Sequence, residues 1–100
     1  MRVIIKKIMI RSFAHKGLKK FHYDGIRKGV QSKHAAKLAD ILDVLEFATT
    51  IDDMNQPGYD LHLLEPKNEN RWAVKVSKNW RVTFNFENGN ACKVDYEDYH

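Results

Sequence analysis

RWAVKVSKNWRVTFNFENGNACKVDYEDYH, residues 71–100, decides the fold. Apolar side chains recur at every second position: Trp72, Val74 and Val76 alternate with Ala73, Lys75 and Ser77. Trp80, Val82, Phe84 and Phe86 alternate with Arg81, Thr83, Asn85 and Glu87, and the pattern resumes after Asn88-Gly89 in Cys92, Val94 and Tyr96. A period of two sends successive side chains to opposite faces of a strand. The stretch therefore reads as a three-stranded meander with one apolar and one polar face. Parity adds a register. A two-residue turn at Asn88-Gly89 would set Phe84 opposite Lys93 and split the apolar face. An odd-length loop or a bulge is expected instead, with Phe84 opposite Val94 and Phe86 opposite Cys92. The same parity sets Val76 across from Trp80 and puts Lys75 beside Arg81 on the polar face.

Upstream of the meander, Asn55-Gln56-Pro57-Gly58 supplies turn residues, and residues 59–64 form a fourth strand. Before that loop the period is helical. Leu38, Ile41, Leu42, Leu45 and Ala48 form an apolar stripe of core residues, and Ser32 stands where a hydroxyl would cap the helix start. HKGLKKFHYDG, residues 15–25, spaces Leu18 and Phe21 three apart and stops at Gly25, giving a shorter first helix. Helices followed by an antiparallel sheet with one apolar face make an α+β layout, the helices taking the apolar face. The other face, where Lys75 and Arg81 project, is left to water or a ligand.

A chain of 100 residues with 43% hydrophobic and 30% charged residues builds one domain around one core. MRVIIKKIMI at the start is too short and too lysine-rich to span a membrane or act as a secretory signal. It reads as an edge strand or a start-site extension over residues 1–8, with Met9 as an alternative first residue. Cys92 is the sole cysteine, so no intrachain disulfide forms, and a reducing, cytoplasmic location is the default. Charge is uneven: residues 1–50 hold eleven Lys/Arg against four Asp/Glu, a net of +7, and residues 51–100 hold six against nine, a net of −3. The basic half asks for an anionic partner, whether nucleic acid or an acidic protein; a solvated lysine face is the plain alternative.

Among the five histidines, His15, His22 and His34 sit in or beside the lysine-rich helices and read as surface imidazoles. His62, in the fourth strand, points away from the side its leucine neighbours occupy. His100 carries the terminal carboxylate on its own Cα and has Asp98 two residues away. Both charges favour the protonated ring, which suits a proton donor near neutral pH. Tyr96 and Tyr99 argue for a packed rather than a frayed terminus. His62, Asp98 and His100 could supply zinc ligands, but no HxxxH or HExxH spacing supports a metal site. A GxSxG nucleophile turn is absent, and the glycines are too scattered to cradle phosphate.

MIRSFAHKGLKKF, Leu61-His62, Trp72, NWRVTFNFENGNA and the terminal DYEDYH together resemble HigB, the toxin of HigB–HigA toxin–antitoxin modules in the RelE superfamily. The likeness runs from about Met9 to His100. It implies a RelE-like fold, two N-terminal helices on a twisted, mainly antiparallel sheet of about four to five strands. It also implies a ribosome-dependent endoribonuclease that cleaves translated mRNA without a metal or other cofactor and is silenced by a HigA-like helix-turn-helix antitoxin. Operator DNA would be reached only through that antitoxin, and no membrane is involved. In such cleavage a base takes the proton of a ribose 2′-hydroxyl, the oxygen attacks the adjacent phosphate, and an acid protonates the leaving 5′-oxygen. Carried over, His62 and His100 resemble the acid–base pair, and Asp98 orients or charges a histidine. Tyr99 lies near the RNA, and Arg81 neutralises the scissile phosphate, for which a guanidinium fork is well shaped. One position departs from the family. Where PLKGxRxG is usual after the histidine, this chain has LLEPKNEN, so Glu65 stands where a lysine is expected and would repel the RNA backbone unless Lys67 or Arg71 fills the gap. Lys67, Arg71 and Lys75 are thus the expected RNA-binding cations. The competing expectation is a catalytically weak or inactive module that binds the antitoxin or the ribosome.

Overall fold

The computed structural model describes residues 10–64 and 70–99. The expected extension at 1–8, the strand or start site at Met9, and Glu65, Lys67 and His100 lie outside the described residues. Helix α1 spans Lys16–Asp24 and helix α2 spans Ala35–Phe47. The strands are β1, His62–Leu63; β2, Arg71–Ser77; β3, Trp80–Glu87; and β4, Asn90–Asp98. They form one sheet in the order β1-β2-β3-β4, every neighbouring pair antiparallel. Residues 10–13 run parallel to β4, with bridges Ile10–Ala91 and Phe13–Val94, and cover its outer edge. The α+β arrangement is the one the residue pattern implies. Among the described residues no helix is long and apolar enough to cross a membrane.

Helix α1 starts at His15, whose Nδ1 accepts the Leu18 amide at 2.9 Å, so this imidazole replaces the usual hydroxyl cap. It stops at Gly25, whose left-handed φ of 72° a side chain would resist. Ser32 does not cap the second helix through its hydroxyl. It opens a short 3₁₀ turn, Ser32–His34, that leads into α2 with no side-chain cap bond. The predicted stripe Leu38, Ile41, Leu42, Leu45 and Ala48 is buried, and it meets Val74, Val82, Phe84 and Val94 from the sheet in one core that also takes Leu18 and Ile10. The fourth strand is shorter than the expected 59–64, and only His62–Leu63 pairs with β2. Tyr59, ahead of it, is buried, and its carbonyl accepts the Lys75 amide at 2.6 Å.

The two hairpins keep their faces apolar by a different device from an odd loop. Glu87 pairs with Asn90 and Phe86 with Ala91, so the turn is the two-residue Asn88-Gly89, with φ of 55° and 79° as a primed turn needs. Parity is restored inside β4. Thr83 pairs with Asp95 and Asn85 with Cys92, so one extra residue is absorbed at Lys93, itself at φ 52°. Phe84 and Val94 thereby share the core, as expected, but Phe86 lies opposite Ala91 rather than Cys92. At the other hairpin Ser77, not Val76, faces Trp80, and a second irregularity at Val76 leaves Lys75 paired with Arg81 as the pattern required.

Candidate functional site

The register arranges the polar face in rows. His62, Ala73, Thr83 and Asp95 are successive partners across the four strands; Lys75, Arg81 and Glu97 form the next row, and Arg71 and Asn85 the row on the other side. Cross-strand partners point to the same side, so His62, Arg71, Lys75 and Arg81 share the face turned away from the helices. Strands about 4.8 Å apart and about 3.3 Å of rise per residue put the His62 and Arg81 Cα atoms roughly 12 Å apart, two strands over and two residues along. Ala73 and Thr83, between them, are short and fully buried, and Thr83 is held by Arg71 and Glu97.

Each candidate group is held by its neighbours. His62 is exposed, and its Nδ1 lies 3.0 Å from the Asp60 carbonyl. A carbonyl only accepts, so Nδ1 carries the proton in the neutral ring and Nε2 keeps its lone pair toward solvent. Asp60 reaches this position through a positive φ of 50°. Arg81 donates from Nη1 to the carbonyls of Lys78 at 2.6 Å and Trp80 at 3.1 Å, which ties its guanidinium to the β2–β3 turn. The Tyr99 amide donates to the Asn79 carbonyl at 2.8 Å, bringing the tail to the same turn. Burial, with Glu97 and then Asp95 adding to it against an opposing Arg71, holds the Tyr99 phenol above its ordinary pKa, so it stays protonated.

Arg71 is the most constrained cation of the face. Nη1 donates to Asn85 Oδ1 at 2.8 Å and to the Lys93 carbonyl at 2.9 Å, Nη2 donates to Thr83 Oγ1 at 2.9 Å, and Glu97 lies 3.8 Å away. Thr83 in turn donates to Glu97. Asp98 is placed differently. It pairs with Trp80, on the parity of Tyr96 and Val94, and is exposed at the end of β4; the acid that pairs with Arg81 is Glu97. Sequence reading missed Glu97, although the alternation that places Arg81 on the polar face would have found it.

The three histidines read as surface imidazoles are structural. His15 caps α1, His22 Nε2 lies 2.8 Å from Glu46 Oε1, and His34 is 2% exposed. His34 Nδ1 lies 2.6 Å from the Tyr96 hydroxyl, which accepts the Gln31 amide, and Trp80 packs against the ring. Burial first and Lys33 second lower the His34 pKa, which favours the neutral ring. Among the described residues no three His, Cys, Asp or Glu side chains gather as a metal-holding group.

The family model for HigB-like toxins, RelE-like toxins of type II toxin–antitoxin systems, matches residues 11–100. The chain belongs to the HigB-like toxin family. It is 42% identical over 92 residues to endoribonuclease HigB of Proteus vulgaris, covering 92% of this chain and 100% of that protein. The two helices and four-stranded antiparallel sheet are thus the RelE-like frame of a HigB-like toxin. The match takes in the histidine strand, the NWR strand and the DYEDYH tail, so the polar face lies wholly within the family's domain.

Proposed function

We propose that this HigB-like toxin is an endoribonuclease that cuts translated mRNA on the ribosome by general acid–base attack of a ribose 2′-hydroxyl on the adjacent phosphate. His62 Nε2 takes the 2′-proton, the 2′-oxygen bonds to phosphorus, and the bond to the 5′-oxygen breaks as His100 gives that oxygen a proton. The products are a 2′,3′-cyclic phosphate and a 5′-hydroxyl. Asp98 sets the charge of the tail beside His100, and Arg81 balances the charge that gathers on the phosphate. Lys75 and Lys67 hold the flanking backbone, Arg71 adds positive field from its fixed place, and the Tyr99 phenol borders the RNA. A HigA-like antitoxin would neutralise the toxin in the cytoplasm.

The observation that supports this reading is that His62 and Arg81 project from one face, with Nδ1 of His62 satisfied by a carbonyl and Nε2 left as a base. Acid–base help of this kind is worth ~10²–10⁴ in rate. In a purified system of ribosomes and a defined mRNA, His62→Gln is expected to lose about that factor in cleavage while keeping the parent's circular dichroism. Unchanged cleavage by the variant would remove His62 from the mechanism.

A second reading, a toxin-like module that binds the antitoxin or ribosome without cutting, draws on the carboxylates. Glu97 stands opposite Arg81 and Asp95 shares the His62 row, and Glu65 replaces the family lysine. It requires that the parent itself yield no new mRNA ends in the same purified system.

A further inference from the structure

Just ahead of the histidine strand, Tyr59 is 3% exposed, and each of its polar groups bonds a different segment. Its amide donates to the Gln56 carbonyl at 3.0 Å, its carbonyl accepts the Lys75 amide at 2.6 Å, and its hydroxyl donates to Asp40 Oδ2 at 2.5 Å. Lys37 Nζ stands 5.6 Å from the centroid of its ring. Loop, β2 and α2 are thereby joined through one residue. Burial first and the Asp40 bond next raise the phenol pKa, so the hydroxyl remains a donor at neutral pH.

Strand β1 cannot fix His62 so firmly by itself. Only His62 and Leu63 pair with β2, and so short a ladder holds its strand weakly. Asp60, between Tyr59 and β1, adopts φ 50°, a left-handed conformation that a residue other than glycine keeps only where its surroundings impose it. That turn brings the Asp60 carbonyl to 3.0 Å from His62 Nδ1. The tautomer of a neutral imidazole is set by the hydrogen bond its other nitrogen makes. Without the carbonyl, the ring proton is free to sit on Nε2, the nitrogen that a base must keep bare. Asp60 itself is exposed and Leu61 only half-buried, so the buried anchor beside the turn is Tyr59.

We propose that Tyr59, through its bond to Asp40, is a positioning residue for His62: it holds the Asp60 turn, whose carbonyl keeps the ring proton on Nδ1 and leaves Nε2 free to accept the 2′-proton. The inference rests on the reading of His62 as the base. Asp40 belongs to α2, in the layer behind the sheet, so the helix reaches the chemistry in steps: carboxylate to phenol, Tyr59 to the turn, and turn to imidazole. None of these side chains needs to touch RNA.

The test combines single-turnover cleavage in the purified ribosome system with NMR of the imidazole nitrogens, both on the full chain. The His62 signals are assigned by their loss in His62→Gln. Tyr59→Phe removes the hydroxyl and keeps the ring. Asp40→Ala, the second variant, breaks the same bond from an exposed helix position and leaves the core untouched. Both are expected to cleave about 10–100-fold more slowly at saturating ribosomes. Half-saturation should not change, the pattern of a lost transition-state arrangement rather than of lost binding. At about pH 8, above the ordinary imidazole range, the parent should carry its proton on Nδ1, and both variants should show a share of rings protonated on Nε2. Asp40→Asn keeps an acceptor oxygen and should match the parent in rate and tautomer. If Tyr59 only stabilises the fold, the folded variants will have a lower Tm but the parent's rate and tautomer, and that outcome would overturn the proposal. So would a parent whose ring proton sits on Nε2. Should His62→Gln prove fully active, the reading of His62 as the base fails, whereas the positioning is judged on the tautomer alone.

Discussion

Arg71→Met removes the guanidinium that spans the polar face and keeps the aliphatic stem. Three donated bonds go, to Asn85, Thr83 and the Lys93 carbonyl. Bonds from a charged donor are worth about 1.5–3 kcal/mol each, but the three do not add in full. Asn85 is only half-buried and the Lys93 bond is exposed, so water can replace the guanidinium there. Thr83 is fully buried and retains only its bond to Glu97. The 3.8 Å pair with Glu97, whose side chain is 34% exposed, contributes less than about 1 kcal/mol. The expected loss is ~2–3 kcal/mol. For a domain of this size that lowers the Tm by roughly 10–20 °C, and with an m value of about 1–3 kcal/mol/M it moves the urea midpoint down by about 0.7–3 M. Thermal and urea unfolding followed by circular dichroism measure both. If Arg71 served only the RNA, the variant would unfold within about 2 °C of the parent and lose RNA affinity, and that outcome would refute the reasoning.

Acid should destabilise the protein through His34. Its folded pKa is lowered, so the unfolded chain binds the proton first; the stability is complete above about pH 6.5 and is lost as pH falls through the folded value. Urea midpoints measured across that range should fall in the parent and stay flatter in His34→Gln. The Tyr59 hydroxyl, which donates to Asp40 at 2.5 Å, is raised far above its ordinary value, by burial first and by Asp40 next. Its contribution is therefore intact below about pH 10 and disappears as pH climbs toward the folded value, and Tyr59→Phe should remove that alkaline slope in the same assay. Glu65→Lys restores the charge the family carries beside the histidine strand, and cleavage in the purified ribosome system is expected to rise by about tenfold or more, in line with replacing repulsion by attraction near the phosphate; a fall would show that Glu65 takes part.

Alternation made the sheet, its apolar face and the partnership of Lys75 with Arg81 legible, because a period of two leaves few other ways to bury Val74, Val82 and Phe84 together. The register past Asn85 was not. Lys93 adopts φ 52° at the bulge, a conformation glycine would have advertised and lysine does not. What holds it there is distant in sequence: its amide bonds Ser12 Oγ and its carbonyl accepts from Arg71. Tertiary contacts likewise hid the fate of the helical histidines, since nothing local distinguishes His34, sealed by Trp80 and Tyr96, from an exposed imidazole. The site divides in the same way. His62 and Arg81 followed from parity and from likeness to the family. Alternation along Cys92, Val94 and Tyr96 already sends Glu97 to the polar face and Asp98 to the other; that Glu97 stands across from Arg81 and Asp98 across from Trp80 emerges only when the hairpin is laid in register.

The central claim is that His62 and Arg81 act together on a phosphate of translated mRNA. Its most direct test is to map mRNA 5′ ends in cells after induction of the parent, of His62→Gln and of Arg81→Gln, with a reporter transcript present in versions with and without its start codon. New ends carrying 5′-hydroxyls are expected within the translated reporter, none when the start codon is removed, and few or none with either variant. New ends that persist in both variants, or that appear equally on the untranslated reporter, would contradict it.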